Sequence, residues 1–80
     1  MEELGKPFLR IATVHRKSGK KEKYLSCSVH QWIGGRNTIK TIRSFGSVLV
    51  AENWDKAIEF TLDEIKSWYK TQKEHYVGSR

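Results

Sequence analysis

The hydrophobic pattern of this chain changes period once, and that change limits the folds open to it. Between residues 8 and 45, β-branched and aromatic residues recur in short runs separated by glycine-containing polar links. Between residues 53 and 76 the apolar residues Trp54, Ala57, Ile58, Thr61, Leu62, Ile65, Trp68 and Tyr69 return at three- and four-residue steps. The first pattern is that of strands and the second is one stripe of a helix. Proline occurs once, at position 7, so nothing interrupts the helix.

The strand half divides at its turn signals. "FLRIATVHRK" (8–17) reads as a first strand, in which Leu9 and Ile11 face opposite to Phe8, Ala12 and Val14. That strand is either covered on both sides or bulged. "KSGKKEK" (17–23) is a hairpin link, and "GGRN" (34–37) is a second turn in which glycine supplies positive φ at little cost. Between them "KYLSCSVHQWI" forms a strand over 23–33, and "TIKTIRSF" a third over 38–45. Asn53 is the expected N-cap, and Gly78 the expected terminator, of a helix over 53–76. The expectation is an α+β domain spanning residues 1–80: a three-stranded antiparallel β-meander packed on one C-terminal α-helix.

The second strand assigns the faces. Leu25, Cys27 and Val29 point to one side, where they should meet Ile58, Leu62, Ile65 and Trp68 or Tyr69. Tyr24, Ser26, Ser28, His30 and Trp32 point to the other, which this single helix leaves open. Phe60 and Tyr76 fall off the helical stripe.

Charge suggests what that face meets. The net charge is +6, but residues 6–46 carry +9, with Glu22 their lone acid, whereas residues 47–77 carry −2. A basic first half beside a near-neutral second half points to a polyanion partner. Lys and Arg gain affinity for phosphate by counterion release, hydroxyls and His bond to phosphates or base edges, and aromatics stack on bases. The candidate nucleic-acid contacts are Lys23, Tyr24, Ser26, Ser28, His30 and Trp32 at the centre. Arg10, Arg16, Lys20, Lys21, Arg36, Lys40 and Arg43 supply charge around them. Duplex DNA is the expected partner. Single-strand or RNA stacking is the alternative, as is a protein-interaction or homodimer role through Trp32, Tyr24 and Phe60.

Other classes find little support. Cys27 is the single cysteine, which excludes an internal disulfide and suits a reducing, intracellular setting such as cytoplasm or nucleoid. It falls on the core face, where a thiol is inert. His15, His30 and His75 lack metal-ligand spacing, and "IGGRNT" lacks the spacing and lysine of a phosphate-binding loop. No cofactor and no catalytic activity are expected. No apolar run reaches the roughly 20 residues of a membrane span, and "MEELGKPF" has acids but no apolar signal segment.

"YLSCSVHQWIGGRNTIKTIRSFG" (24–46) resembles the N-terminal segment of insertion-sequence DDE transposases, which carry a "Y-x-x-x-V-x-x-x-[YW]" strand, a Gly/Lys turn and a strand close to "K-T-I-K-S-L-G". Tyr24, Val29, Trp32, Gly35, Arg36, Lys40, Thr41, Ile42, Arg43, Ser44, Phe45 and Gly46 fit that outline, and "ENWDKAIEF" is similar to the helix that follows it. The layout is also similar to the three-strand-plus-helix N-terminal DNA-binding domains of integrases and to plant ethylene-response factors. The resemblance implies a sheet laid in the DNA major groove. It does not extend to a catalytic region, so what it implies is a mobile-element binding domain, excised or free-standing, without transposition chemistry.

Overall fold

The computed structural model describes residues 3–78. Its sheet is built around one long strand. β1 (Glu3–Leu4) and β2 (Phe8–His15) lie end to end along one edge of β3 (Lys21–Ile33), and β4 (Arg36–Ser47) lies along the other, every pairing antiparallel. α1 (Ala51–Lys73) follows and crosses one face, giving the expected α+β meander with a C-terminal helix. A wider π-type turn, Glu74–Gly78, ends the described chain. The two-residue β1 is an addition to the expected strands. Its ladder continues through the Gly5 N–H, which donates to the His30 carbonyl at 2.8 Å.

Local chemistry places the turns. The Arg16 N–H donates to the Lys20 carbonyl at 2.8 Å and the Gly19 N–H to the Arg16 carbonyl at 3.0 Å, with Gly19 at φ 86°. Gly34 and Gly35 close the second hairpin at φ 56° and 83°. β2 pairs with β3 in unbroken register from Phe8–Ser28 to His15–Lys21, so the strand has no bulge; nor is it covered on both sides, since Ile11 on one face and Val14 on the other are 51% and 38% exposed.

β4 is the irregular strand. Thr41 pairs with Ser28 but Arg43 with Cys27, and Ser44 pairs with Ser26 but Gly46 with Leu25. Ile42 and Phe45 are therefore the extra residues of two bulges, and each bulge reverses the side-chain alternation of the strand.

Leu25, Cys27 and Val29 are buried beneath α1, as the alternation of β3 requires. The helix seats on them through Ala57 and Thr61, its two buried residues. Small side chains there let the helix backbone approach the sheet, and the larger residues splay to either flank. On the β4 flank Phe60 is half-buried with its ring 5.4 Å from that of Phe45, a correction to its expected place off the packing surface. On the β2 flank Ile58 and Leu62 remain 44% and 53% exposed, so the expected deep contact of these residues with β3 is not made. Indole N–H groups tie both ends of the helix down. Trp54 donates to the Val48 carbonyl at 2.7 Å and Trp68 to the Leu4 carbonyl at 3.4 Å.

The helix begins two residues earlier than its pattern suggests, with Val50 as N-cap and no side-chain capping bond. Asn53 instead turns back, and its Nδ2 donates to the Ser47 carbonyl at 3.1 Å. Among the described residues no helix is long and apolar enough to cross a membrane.

Candidate nucleic-acid interface

The uncovered face of the sheet follows from the register. Cross-strand partners share a face, so Phe8, Arg10, Ala12 and Val14 of β2 lie with Tyr24, Ser26, Ser28, His30 and Trp32 of β3. Asn37, Ile39, Thr41 and Ser44 of β4 complete it. The rings of Phe8 and His30 stack at 5.0 Å, which fixes the His30 imidazole across the β2–β3 seam. His30 is exposed and Trp32 is 46% exposed, so both offer ring surface to a partner.

The two serines do not behave as expected. Ser26 and Ser28 are on this face but buried, and their hydroxyls lie 3.3 Å apart. Each sits at the bottom of a trough, Ser26 between Arg10 and Ser44, and Ser28 between Phe8 and Thr41. A hydroxymethyl group on the central strand is roofed by longer neighbours. Thr41 and Ser44, exposed on β4, are the accessible hydroxyls of this surface, and the displaced alternation of β4 hid Ser44 from a reading of the sequence.

Tyr24 is engaged at the hairpin end. Its hydroxyl donates to the Glu22 carboxylate and accepts from Arg16 Nη2 at 2.7 Å, while Arg16 reaches the same carboxylate through Nη2 at 3.0 Å and Nε at 3.2 Å. The Tyr24 hydroxyl and the Arg16 guanidinium hold the Glu22 carboxyl below its ordinary range, and Tyr24 together with Glu22 raises Arg16 in turn. Arg16 is thus a positioned cation with its charge partly answered by Glu22. Lys17 and Lys20 remain exposed in the adjoining turn.

The basic residues are spread more widely than a single reading surface requires. Within the described, paired ladders Arg10 is the basic residue of the uncovered face. Lys21 and Lys23 pair with His15 and Thr13 on the helix side, although beside the basic hairpin. Arg36 pairs with Ile33 at the far turn, also on the helix side. Lys40 pairs with Val29 and shares a hollow with Glu64 and Trp68. Arg43 is displaced most plainly. The bulge at Ile42 carries it to the helix side, where its guanidinium carbon lies 5.2 Å from the Phe45 ring centre and 5.4 Å from that of Phe60.

Arg43, although exposed, accordingly lies over two aromatic rings where sheet and helix meet. Replacing it with Ala should cost about 0.5–2 kcal/mol of stability through the lost cation–π contacts, read as a lowered urea midpoint. Nucleic-acid affinity should change little, and a large affinity loss at unchanged stability would return Arg43 to the binding surface.

Cys27 is buried against α1, and burial pushes its thiol above the ordinary value while the Thr61 hydroxyl alongside pulls the other way. Among the described residues no group of His, Cys, Asp and Glu is arranged to hold a metal ion. No protein-family model, curated protein or solved structure matches this chain.

Proposed function

We propose that this domain binds nucleic acid, duplex DNA in the first instance, through the helix-free face of its sheet, and acts by binding without catalysis. The observation that carries this function is the composition of that face. Arg10, the Phe8–His30 stack, the half-exposed Trp32 and the hydroxyls of Thr41 and Ser44 lie together on a surface no other element covers. A strand ribbon of this kind fits the major groove. The hairpin carrying Arg16, Lys17, Lys20, Lys21 and Lys23 extends from one end of it and supplies cations to the phosphate backbone. The resemblance of residues 24–46 to transposase N-terminal segments supports the same function, in a mobile element, within the cytoplasm or nucleoid.

A single-stranded partner is the second reading, favoured by the exposed rings of His30 and Trp32, which a base can stack on. Fluorescence anisotropy of labelled duplex and single-stranded DNA across a salt series separates the two. Duplex binding with log affinity falling steeply in log salt is expected. Stronger binding to the single strand would select stacking, and no binding by the folded protein at low salt would overturn both.

Arg10→Ala and Trp32→Ala should each weaken binding about tenfold or more, roughly 1.4 kcal/mol. Neither substitution should shift thermal unfolding appreciably, because neither side chain is in the core. If Arg10 meets a phosphate, its loss also lowers the salt slope by about one; if it meets a base edge, the slope is unchanged.

A further inference from the structure

The two outer edges of the sheet are built differently. β4 is broken by its two bulges and carries Arg36, Lys40 and Arg43, features that discourage strand addition. β2, "FLRIATVH", runs in unbroken register with neither lysine nor proline. Its outward backbone groups can be assigned from the turn. The bond from the Arg16 N–H to the Lys20 carbonyl makes 16/20 a hydrogen-bonded pair. Antiparallel alternation then directs Phe8, Arg10, Ala12 and Val14 toward β3, and leaves the N–H and C=O of Leu9, Ile11 and Thr13 facing outward.

Beside this edge is an uncovered apolar wall. Ile58, Leu62 and Ile65 of α1 line a groove of about 380 Å³ with Pro7 and Leu9, and Ile11 next to it is 51% exposed. On the opposite flank Arg43 lies over the Phe45 and Phe60 rings, and the hollow there, about 260 Å³, is lined also by the charged Lys56, Glu59 and Asp63, so it is not an apolar wall. The molecule is also extended for its length. Its radius of gyration is 15.4 Å, against about 12 Å for a compact domain of this size.

We infer that the occupant of this edge is a second copy of the same chain, joined β2 to β2 in antiparallel fashion about a two-fold axis at Ile11. That register sets Ile11 against Ile11, Leu9 against Thr13, Arg10 against Ala12 and Phe8 against Val14, so no like charges oppose one another along the ladder. The axis stands perpendicular to the sheet, which keeps both helices on one side and turns their Ile58–Leu62 flanks toward each other. Eight residues at about 3.4 Å each give a wall roughly 27 Å long. With a helix layer above the sheet it stands about 20 Å high. On the order of 500 Å² in projection, and more as accessible surface, it approaches the roughly 800 Å² per partner of a stable interface. The helix-free faces then join into one surface carrying two copies of Arg10. The association does not depend on nucleic-acid binding, and the two are read out separately.

Multi-angle light scattering of the full chain over a concentration series tests it. The expected mass is twice the 9.3 kDa of the monomer. Ile11→Lys sets two lysines opposite each other at the axis, and Leu62→Lys charges the facing helix flank. Each should return the mass to that of the monomer with an unchanged circular-dichroism spectrum. Should either variant unfold, amide exchange of the native chain decides: Leu9, Ile11 and Thr13 should be protected at high concentration and lose protection on dilution. A monomer at every concentration, a dimer unaffected by both folded variants, or rapid exchange of those three amides in the dimer would overturn the inference.

Discussion

Leu25→Ala should remove a large share of the protein's stability. Leu25 is wholly buried, paired with Ile11 on one side and Gly46 on the other. Among the described residues the buried apolar set is short: Leu25, Cys27, Val29 and Ala57, with Pro7 at the edge. A large-to-small change in a core costs about 2–5 kcal/mol. A chain of this length has about 4–12 kcal/mol in total, so one substitution can remove most of it. Urea unfolding followed by Trp fluorescence measures the loss. Ile33→Ala is the comparison, since Ile33 is half exposed beyond the helix and should cost under about 1 kcal/mol. Equal losses from the two would mean that the core does not lie under Ala57 and Thr61.

Gly46→Ala should produce the second large effect, by a different route. Gly46 holds φ at 96°, a conformation that residues with a Cβ avoid. A Cβ at this position would stand 2.9 Å from Asn53 Nδ2, the group that donates to the Ser47 carbonyl. Backbone strain of about 1–3 kcal/mol thus adds to the disturbance of a hydrogen bond worth about 0.5–1.5 kcal/mol. Gly35→Ala isolates the strain: φ is 83° there, and a Cβ would meet nothing within 4 Å. A double-mutant cycle with Asn53→Ala isolates the clash, because removing the amide should restore part of the stability lost in Gly46→Ala. Additive losses in that cycle would show that Asn53 moves aside freely.

The elements were legible because each is marked by its own chemistry. The alternation of 23–33 gave the buried line of Leu25, Cys27 and Val29, and the 3.6-residue period gave the helix to within two residues at its start. β1 has no pattern of its own, since two residues show no periodicity. The bulges explain the largest error. Counted by simple alternation from Thr41, Arg43 belongs to the open face; one extra residue at Ile42 transfers it to the other. Nothing in "TIKTIRSFG" announces that insertion except Gly46, which reads equally well as a strand terminator. Ser26 and Ser28 lie on the face that alternation predicts yet are buried, because alternation reports direction and says nothing of neighbour size. Ala57 and Thr61 belong to the expected helix stripe, but the contacts with β3 fall to them and not to the larger Ile58 and Leu62, because small side chains allow the closest approach.

The order of the strands along the chain also sets an order in time. β2, β3 and β4 are joined by turns of a few residues, so both long ladders close between neighbouring segments. Hairpins of this kind form in about 1–10 μs, and they can assemble from residues 8–47 before α1 docks on them. During that interval Leu25, Cys27 and Val29 have no cover, and both sheet edges are open. Arrival of the helix is therefore the step that covers the apolar face of the sheet. Slowing that step, for instance with glycines at exposed positions of α1, should favour aggregation over refolding even where the final structure is unaltered.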